Sequence, residues 1–160
     1  PKNSKSINGI VFVVTTKNLD STSSFAKGIY LDTPRGGIEM ATEKVLEMAE
    51  ENDIDELAIP LLGTGYANIQ LTYDSQKAKL ILIKMGVAIA IQKAEKHLSM
   101  PDSSLKRVVI VTPSQSPETS HEKEIWKFVL NFLYATKQER KEKTNNLDLQ
   151  IRAVTDEPSD

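Results

Sequence analysis

This chain of 160 residues has no cysteine, which removes disulfides, thiolate nucleophiles and Cys-ligated zinc together. Histidine is nearly missing as well, with His97 and His121 the only two. A His-based metal site or catalytic triad is therefore not expected, and neither is a cofactor. Neither sign of charge dominates: 20 Lys+Arg against 22 Asp+Glu give a net charge of -2. No strongly basic field exists to hold duplex DNA or RNA, whose affinity comes largely from phosphate neutralisation. There is no apolar run near the ~20 residues that cross a bilayer, and no signal-peptide pattern. The segment is expected to be soluble and cytoplasmic, with no membrane contact. A starting methionine is also missing. The chain begins with Pro1, and we read it as a processed or trimmed piece of a longer protein with additional domains.

What remains is enough for one domain. A chain of this length buries roughly 70% of the surface its unfolded form exposes. Apolar residues make up 39% and charged residues 26%, with the excess polarity at the ends. Ile10-Val-Phe-Val-Val14, bounded by Asn8-Gly9, reads as a strand buried on both faces. Residues 17–36 resist assignment. Beyond Gly36-Gly37, Ile38, Ala41, Val45, Met48 and Ala49 recur at helical spacing, and the helix closes at Asn52-Asp53. Leu57-Ala-Ile-Pro-Leu-Leu62 is a second strand, which either ends at Pro60 or passes a bulge there.

A long helix is expected from about Thr72 to His97, so apolar between Leu80 and Ile91 that neighbours must cover most of its sides. Pro101-Asp-Ser-Ser reads as a turn and Arg107–Val111 as a third strand. The last helix is expected to bury Ile125, Phe128, Val129, Phe132 and Leu133, with Trp126 and Tyr134 flanking that stripe. Core packing explains these aromatics better than stacking on nucleic acid. Lys137–Lys143 carries mixed charge and no apolar face, as a solvated helix end or linker does. Leu147–Val154 alternates as an edge strand would. We therefore divide the chain into an α/β domain over 1–136 and a charged linker over 137–160, with an edge strand and a frayed terminus in the latter. Strands alternating with helices imply βαβ units, a mostly parallel sheet and a three-layer α/β/α arrangement.

Ligands of open α/β sheets bind beyond the carboxyl ends of the strands. Those ends carry Thr15, Thr16 and Lys17; Gly63, Thr64, Gly65 and Tyr66; and Thr112, Pro113, Ser114 and Gln115. A rim of hydroxyls and bare backbone with one charge suits a phosphate held by N–H and O–H donors. It equally suits ordinary loop and capping residues. In Gly63-Thr64-Gly65 the glycines allow positive φ and close approach of a ligand, or simply a tight turn. The loop is neither a Walker motif nor a G-x-G-x-x-G fingerprint. The nearest acid after the loop, Asp74, falls at a helix start, where a dipole role explains it. His97 is expected at the solvated end of the long helix and His121 in the first turn of the last.

Leu57-Ala-Ile-Pro-Leu-Leu-Gly-Thr-Gly-Tyr66 resembles the strand and diphosphate loop of macro domains, the ADP-ribose-binding family. The order of an apolar strand at 10–14, Gly36-Gly37, a helix, the long helix, the 107–111 strand and a last helix is similar too. The resemblance spans roughly residues 9–135, and its specific part is about ten residues long. It implies that Gly63, Thr64, Gly65 and Tyr66 donate backbone N–H groups to phosphate oxygens, with Ala67, Asn68, Thr15, Thr16, Thr112 and Ser114 completing the site. Ala67 falls where an aromatic often packs on the ribose. Asn68 replaces the usual second-turn glycine, a swap that a left-handed backbone tolerates. The family's acidic adenine contact, Asn-rich strand end and distal-ribose glycines have no match before Ile10. The resemblance thus implies a module that binds or senses ADP-ribose, a related nucleotide or an ADP-ribosylated partner. The alternatives are a ligand-free interaction or scaffold domain and, third, an ADP-ribosyl hydrolase. No residue is singled out as catalytic.

Overall fold

The computed structural model describes residues 34–62, 75–111 and 121–155. The order of elements is α1 (Pro34–Glu51), β1 (Glu56–Pro60), α2 (Ser75–Leu98), β2 (Arg107–Val111), α3 (His121–Tyr134) and α4 (Lys137–Thr155). The chain is mixed α/β and mostly helical. Among the described residues, two strands form a parallel sheet in the register Glu56↔Arg107 through Pro60↔Val111. Parallel neighbours need a crossover of a dozen or more residues, and α2 supplies it. The strand expected at Ile10–Val14 lies outside the described residues.

The core is organised around α2. Ala78, Ile81, Leu82, Met85 and Ile89 pack with Ile38 of α1 and with Leu147 and Ile151 of α4. Ile83, Val87, Ala88 and Ile91 pack on another side with Leu61 and with Ile125 and Phe132 of α3. A third group, Leu46, Ala49 and Leu105 with Ile54, Leu57 and Val108, joins the end of α1 to the strands. The covering expected of the 80–91 stretch is thus supplied by three helices and the strand region.

α1 starts at Pro34, earlier than its apolar spacing indicates, and includes Gly36 and Gly37. Proline suits a first helical position because its missing N–H has no partner there anyway. The buried stripe is Ile38, Ala41, Thr42, Val45, Leu46 and Ala49. Met48, expected inside, is exposed, and Leu46 is fully buried in its place. The helix ends with Asp53 in the left-handed region, φ 54°. There Ile54 N–H donates to Ala49 O and Asp53 N–H to Glu50 O, the Schellman pattern. Ile54 also packs beside Ala49, the apolar contact that accompanies this cap. Pro60 closes β1, which removes the difficulty of a proline inside a ladder.

Two sequence expectations are corrected at the C-terminal end. Residues 137–155 are helical, so Leu147–Val154 is not an edge strand and Lys137–Lys143 is the helix's opening turns. Thr144, Leu147, Asp148 and Ile151 are buried, at spacings of one helical stripe, while Leu149 is 65% exposed. The helix is opened by Thr136, whose Oγ1 accepts from Glu139 N–H in the T-x-x-E arrangement of a capping box. The second correction concerns α3, where Leu133, expected in the buried stripe, is exposed, while Ile125 and Phe132 are buried and Phe128 and Val129 half-buried.

Arg140 locks the corner between α3 and α4. Its Nε donates to Phe132 O, which also accepts from Ala135 N–H, and its Nη2 donates to Leu133 O, so it binds carbonyls of the last turn of α3. Its guanidinium lies 5.3 Å from the Phe132 ring centroid and pairs with Glu95 of α2. The helical reading of 144–151 separates two substitutions that a strand would treat alike. Ile151→Ala should cost about 2–4 kcal/mol in denaturant unfolding and Leu149→Ala less than about 0.5. Equal losses from both would contradict the helix.

Candidate functional site

β1 and β2 end side by side, with Pro60 paired to Val111. Ile59 and Leu61 are buried, which fixes the course of the chain as it enters the glycine loop. From this edge the sequence continues into Gly63-Thr64-Gly65 on one strand and Thr112-Pro113-Ser114 on the other. Every sequence-derived site residue lies outside the described residues: Thr15, Thr16, Gly63, Thr64, Gly65, Tyr66, Ala67, Asn68, Thr112 and Ser114. Asp74 lies outside them too. What the structure describes here is two parallel strand ends in fixed register.

The opposite edge, where the strands begin, holds a polar cluster that the sequence did not reveal. His97 was expected in solvent, yet it is only 3% exposed. Its Nδ1 lies 2.9 Å from Glu50 Oε2 and its Nε2 3.1 Å from Glu43 Oε1. Glu43 and Glu50 are seven residues apart on α1, which puts them on one face two turns apart with the imidazole between them. A neutral imidazole has one N–H and can donate to only one carboxylate, whereas the imidazolium donates to both. Ser103 Oγ donates to the other oxygen of Glu50 and accepts from Leu105 N–H. Lys93 Nζ stands 3.6 Å from Glu43 Oε2. Together these bonds tie α1 to the end of α2 and to the turn that leads into β2.

This cluster is not built for nucleophilic catalysis. Ser103 donates to a carboxylate and not to His97, so the hydroxyl lacks the imidazole base that acyl transfer uses. Among the described residues, no group of three or more His, Cys, Asp and Glu side chains could hold a metal ion. An open groove of about 410 Å³ runs beside the cluster, lined by glutamates 39, 43 and 47 and by Lys44 and Lys93. Its charges are mixed in sign, three acidic and two basic. Among the described residues, no helix is long and apolar enough to cross a membrane.

The one advance signal for the cluster was the i,i+7 pair of glutamates facing a helix that had to be buried. His97 was missed because it sits near the end of α2, where Glu95, Lys96 and Leu98 are all exposed.

No protein-family model, curated protein or solved structure matches this chain.

The Glu50 carboxyl is held below the ordinary value of 4.5, first by the Ser103 hydrogen bond, against partial desolvation, and then by His97. A carboxyl with a depressed folded pKa contributes stability above its unfolded value, and that stability is lost as pH falls through the folded value. Ser103→Ala should therefore cost about 1 kcal/mol at pH 7. The deficit should shrink as the pH drops below 4.5. Urea unfolding of both proteins across pH 3–7 measures this, and a deficit that does not change with pH would contradict the assignment.

Proposed function

We propose that this chain is a macro-domain-like module that binds ADP-ribose, or a related phosphate-bearing nucleotide, along the edge where β1 and β2 end. One observation carries the reading. The two strands are parallel and terminate in register at Pro60 and Val111, so a Gly-Thr-Gly loop and a Thr-Pro-Ser segment leave the same sheet edge from neighbouring positions. Ligands of parallel α/β sheets bind at that edge because backbone N–H groups and loop hydroxyls converge there. In this reading Gly63, Thr64, Gly65 and Tyr66 donate N–H groups to the phosphates. Thr112 and Ser114 supply hydroxyls from the second strand end, and Thr15 and Thr16 do so from a third parallel strand at 10–14. Ala67 and Asn68 close the loop. The sheet is then the middle of a three-layer α/β/α unit, acting in the cytoplasm as the sensor of a larger protein.

The polar cluster supports this division of labour. Glu43, Glu50, His97 and Ser103 join elements at the edge where the strands begin, an edge that α/β ligands do not use. Their hydrogen bonds link α1 to the end of α2 and to the turn before β2, which suits a brace. The module recognises its ligand through backbone donors, and turnover is not part of the proposal.

A second reading, a ligand-free interaction or scaffold domain, is favoured by one specific observation. α3 exposes four large apolar side chains, Trp126, Leu130, Leu133 and Tyr134.

Titration calorimetry of this chain with ADP-ribose tests the first reading. One ligand should bind per chain, with a Kd on the order of 1–100 μM. Gly65→Glu should abolish the heat, because it places a carboxylate and a side chain where backbone must meet phosphate. Adenosine, which lacks the phosphates, should bind at least about tenfold more weakly. A folded protein that gives no heat with ADP-ribose would overturn the reading.

A further inference from the structure

On α3, Trp126, Leu130, Leu133 and Tyr134 fall at i, i+4, i+7 and i+8, one continuous stripe along the helix. They are exposed by 54%, 52%, 45% and 89%. The stripe is separate from the face that α3 buries, which carries Ile125 and Phe132 against α2. Scattered apolar residues on a surface need no explanation, but a contiguous helical stripe with two large aromatics does.

We propose that this stripe is the interface of a homodimer, in which α3 of one copy packs antiparallel on α3 of a second. Two arguments identify the occupant. The first is the symmetry of the stripe: Trp126 and Tyr134 stand four residues on either side of Leu130. A two-fold axis through Leu130 therefore sets Trp126 of each copy beside Tyr134 of the other, with the two Leu130 side chains in contact. That self-complementarity is what an isologous interface requires.

The second argument is area. Scaled by their exposures, the four side chains offer roughly 500 Å² per copy, or about 1,000 Å² over the pair. That is the size at which specific interfaces separate from casual contacts, and it suits a weak, reversible dimer. The interface is independent of the nucleotide reading, because α3 starts after the Thr112–Ser114 segment and turns its stripe away from α2.

Trp126 is the only tryptophan in the chain, so intrinsic fluorescence reports on this stripe alone. Sedimentation velocity and emission spectra are recorded over a concentration series on the wild type and on Leu130→Asp. The wild type should move from monomer to dimer as concentration rises, with Trp126 emission shifting to the blue in step. Leu130→Asp should stay monomeric and red-emitting at every concentration. Its far-UV dichroism should match the wild type, because Leu130 is outside the α2 contact. A milder variant, Leu130→Ser, should weaken the dimer at least about tenfold, since a buried leucine is lost from the centre on both copies.

Three outcomes would overturn the proposal. One is a wild type that remains monomeric throughout. Another is a dimer that survives both substitutions. The third is a monomer whose emission is blue at all concentrations, which would mean that the stripe is covered by another part of the same chain.

Discussion

Everything in this structure depends on covering α2. Between Leu80 and Ile91 it is apolar on almost every side, and its long side chains must leave water in all directions at once. Burying each Leu, Ile or Met is worth roughly 1.5–3 kcal/mol, so the helix gathers whatever apolar faces the rest of the chain can offer. α1 gives Ile38, α4 gives Leu147 and Ile151, and α3 gives Ile125 and Phe132. Lys84, the one charge inside that stretch, lays its amine 5.9 Å from the Phe128 ring centroid and 3.7 Å from Glu124. The parallel strand pair is a consequence of the same arrangement, because α2 is also the crossover that joins β1 to β2.

Polar contacts then fix how the covering elements meet. At one end of α2, His97 takes two glutamates of α1, and Ser103 holds the second of them. Close by, Ser104 Oγ donates to Ile54 O, and Lys106 and Arg107 N–H both reach Asp55 O. The strands therefore start from a braced corner and run in register to Pro60 and Val111. Along the other side Arg140 closes the α3–α4 turn, and Thr144 bonds Gln92 of α2. Near the start of α1, Arg35 reaches Asn145 and Asp148 of α4. A frame tied in this way sets the separation of the two strand ends, Pro60 and Val111.

The fold was legible where one period dominated a long segment. The greasy stretch of α2, the Arg107–Val111 strand and the apolar spacing of α1 all announce their state. Legibility failed where two periods fit the same letters. Leu147-Asp-Leu-Gln-Ile alternates as a strand does, but its neighbour Thr144 completes a helical stripe, and the T-x-x-E opening at Thr136 tips the balance. It failed again where a residue's fate depends on distant partners. His97 is buried because Glu43 and Glu50 on another helix meet both ring nitrogens, and nothing adjacent in sequence shows that. Leu133 was expected inside the core stripe of α3, yet it is exposed beside Trp126, because the contact with α2 uses only the face that carries Ile125 and Phe132. For the proposed nucleotide site, the strands that would frame it were legible, while its loops lie outside the described residues.

The claim that α2 is the element on which the rest is assembled is tested most directly by native-state hydrogen exchange. Amides from Ile81 to Ala94 should exchange only through global unfolding, with the same free energy as denaturant unfolding. Those of α4 and of the α1 termini should open through smaller local transitions. Exchange of α2 through a partial opening that leaves α1 and α4 protected would contradict the account.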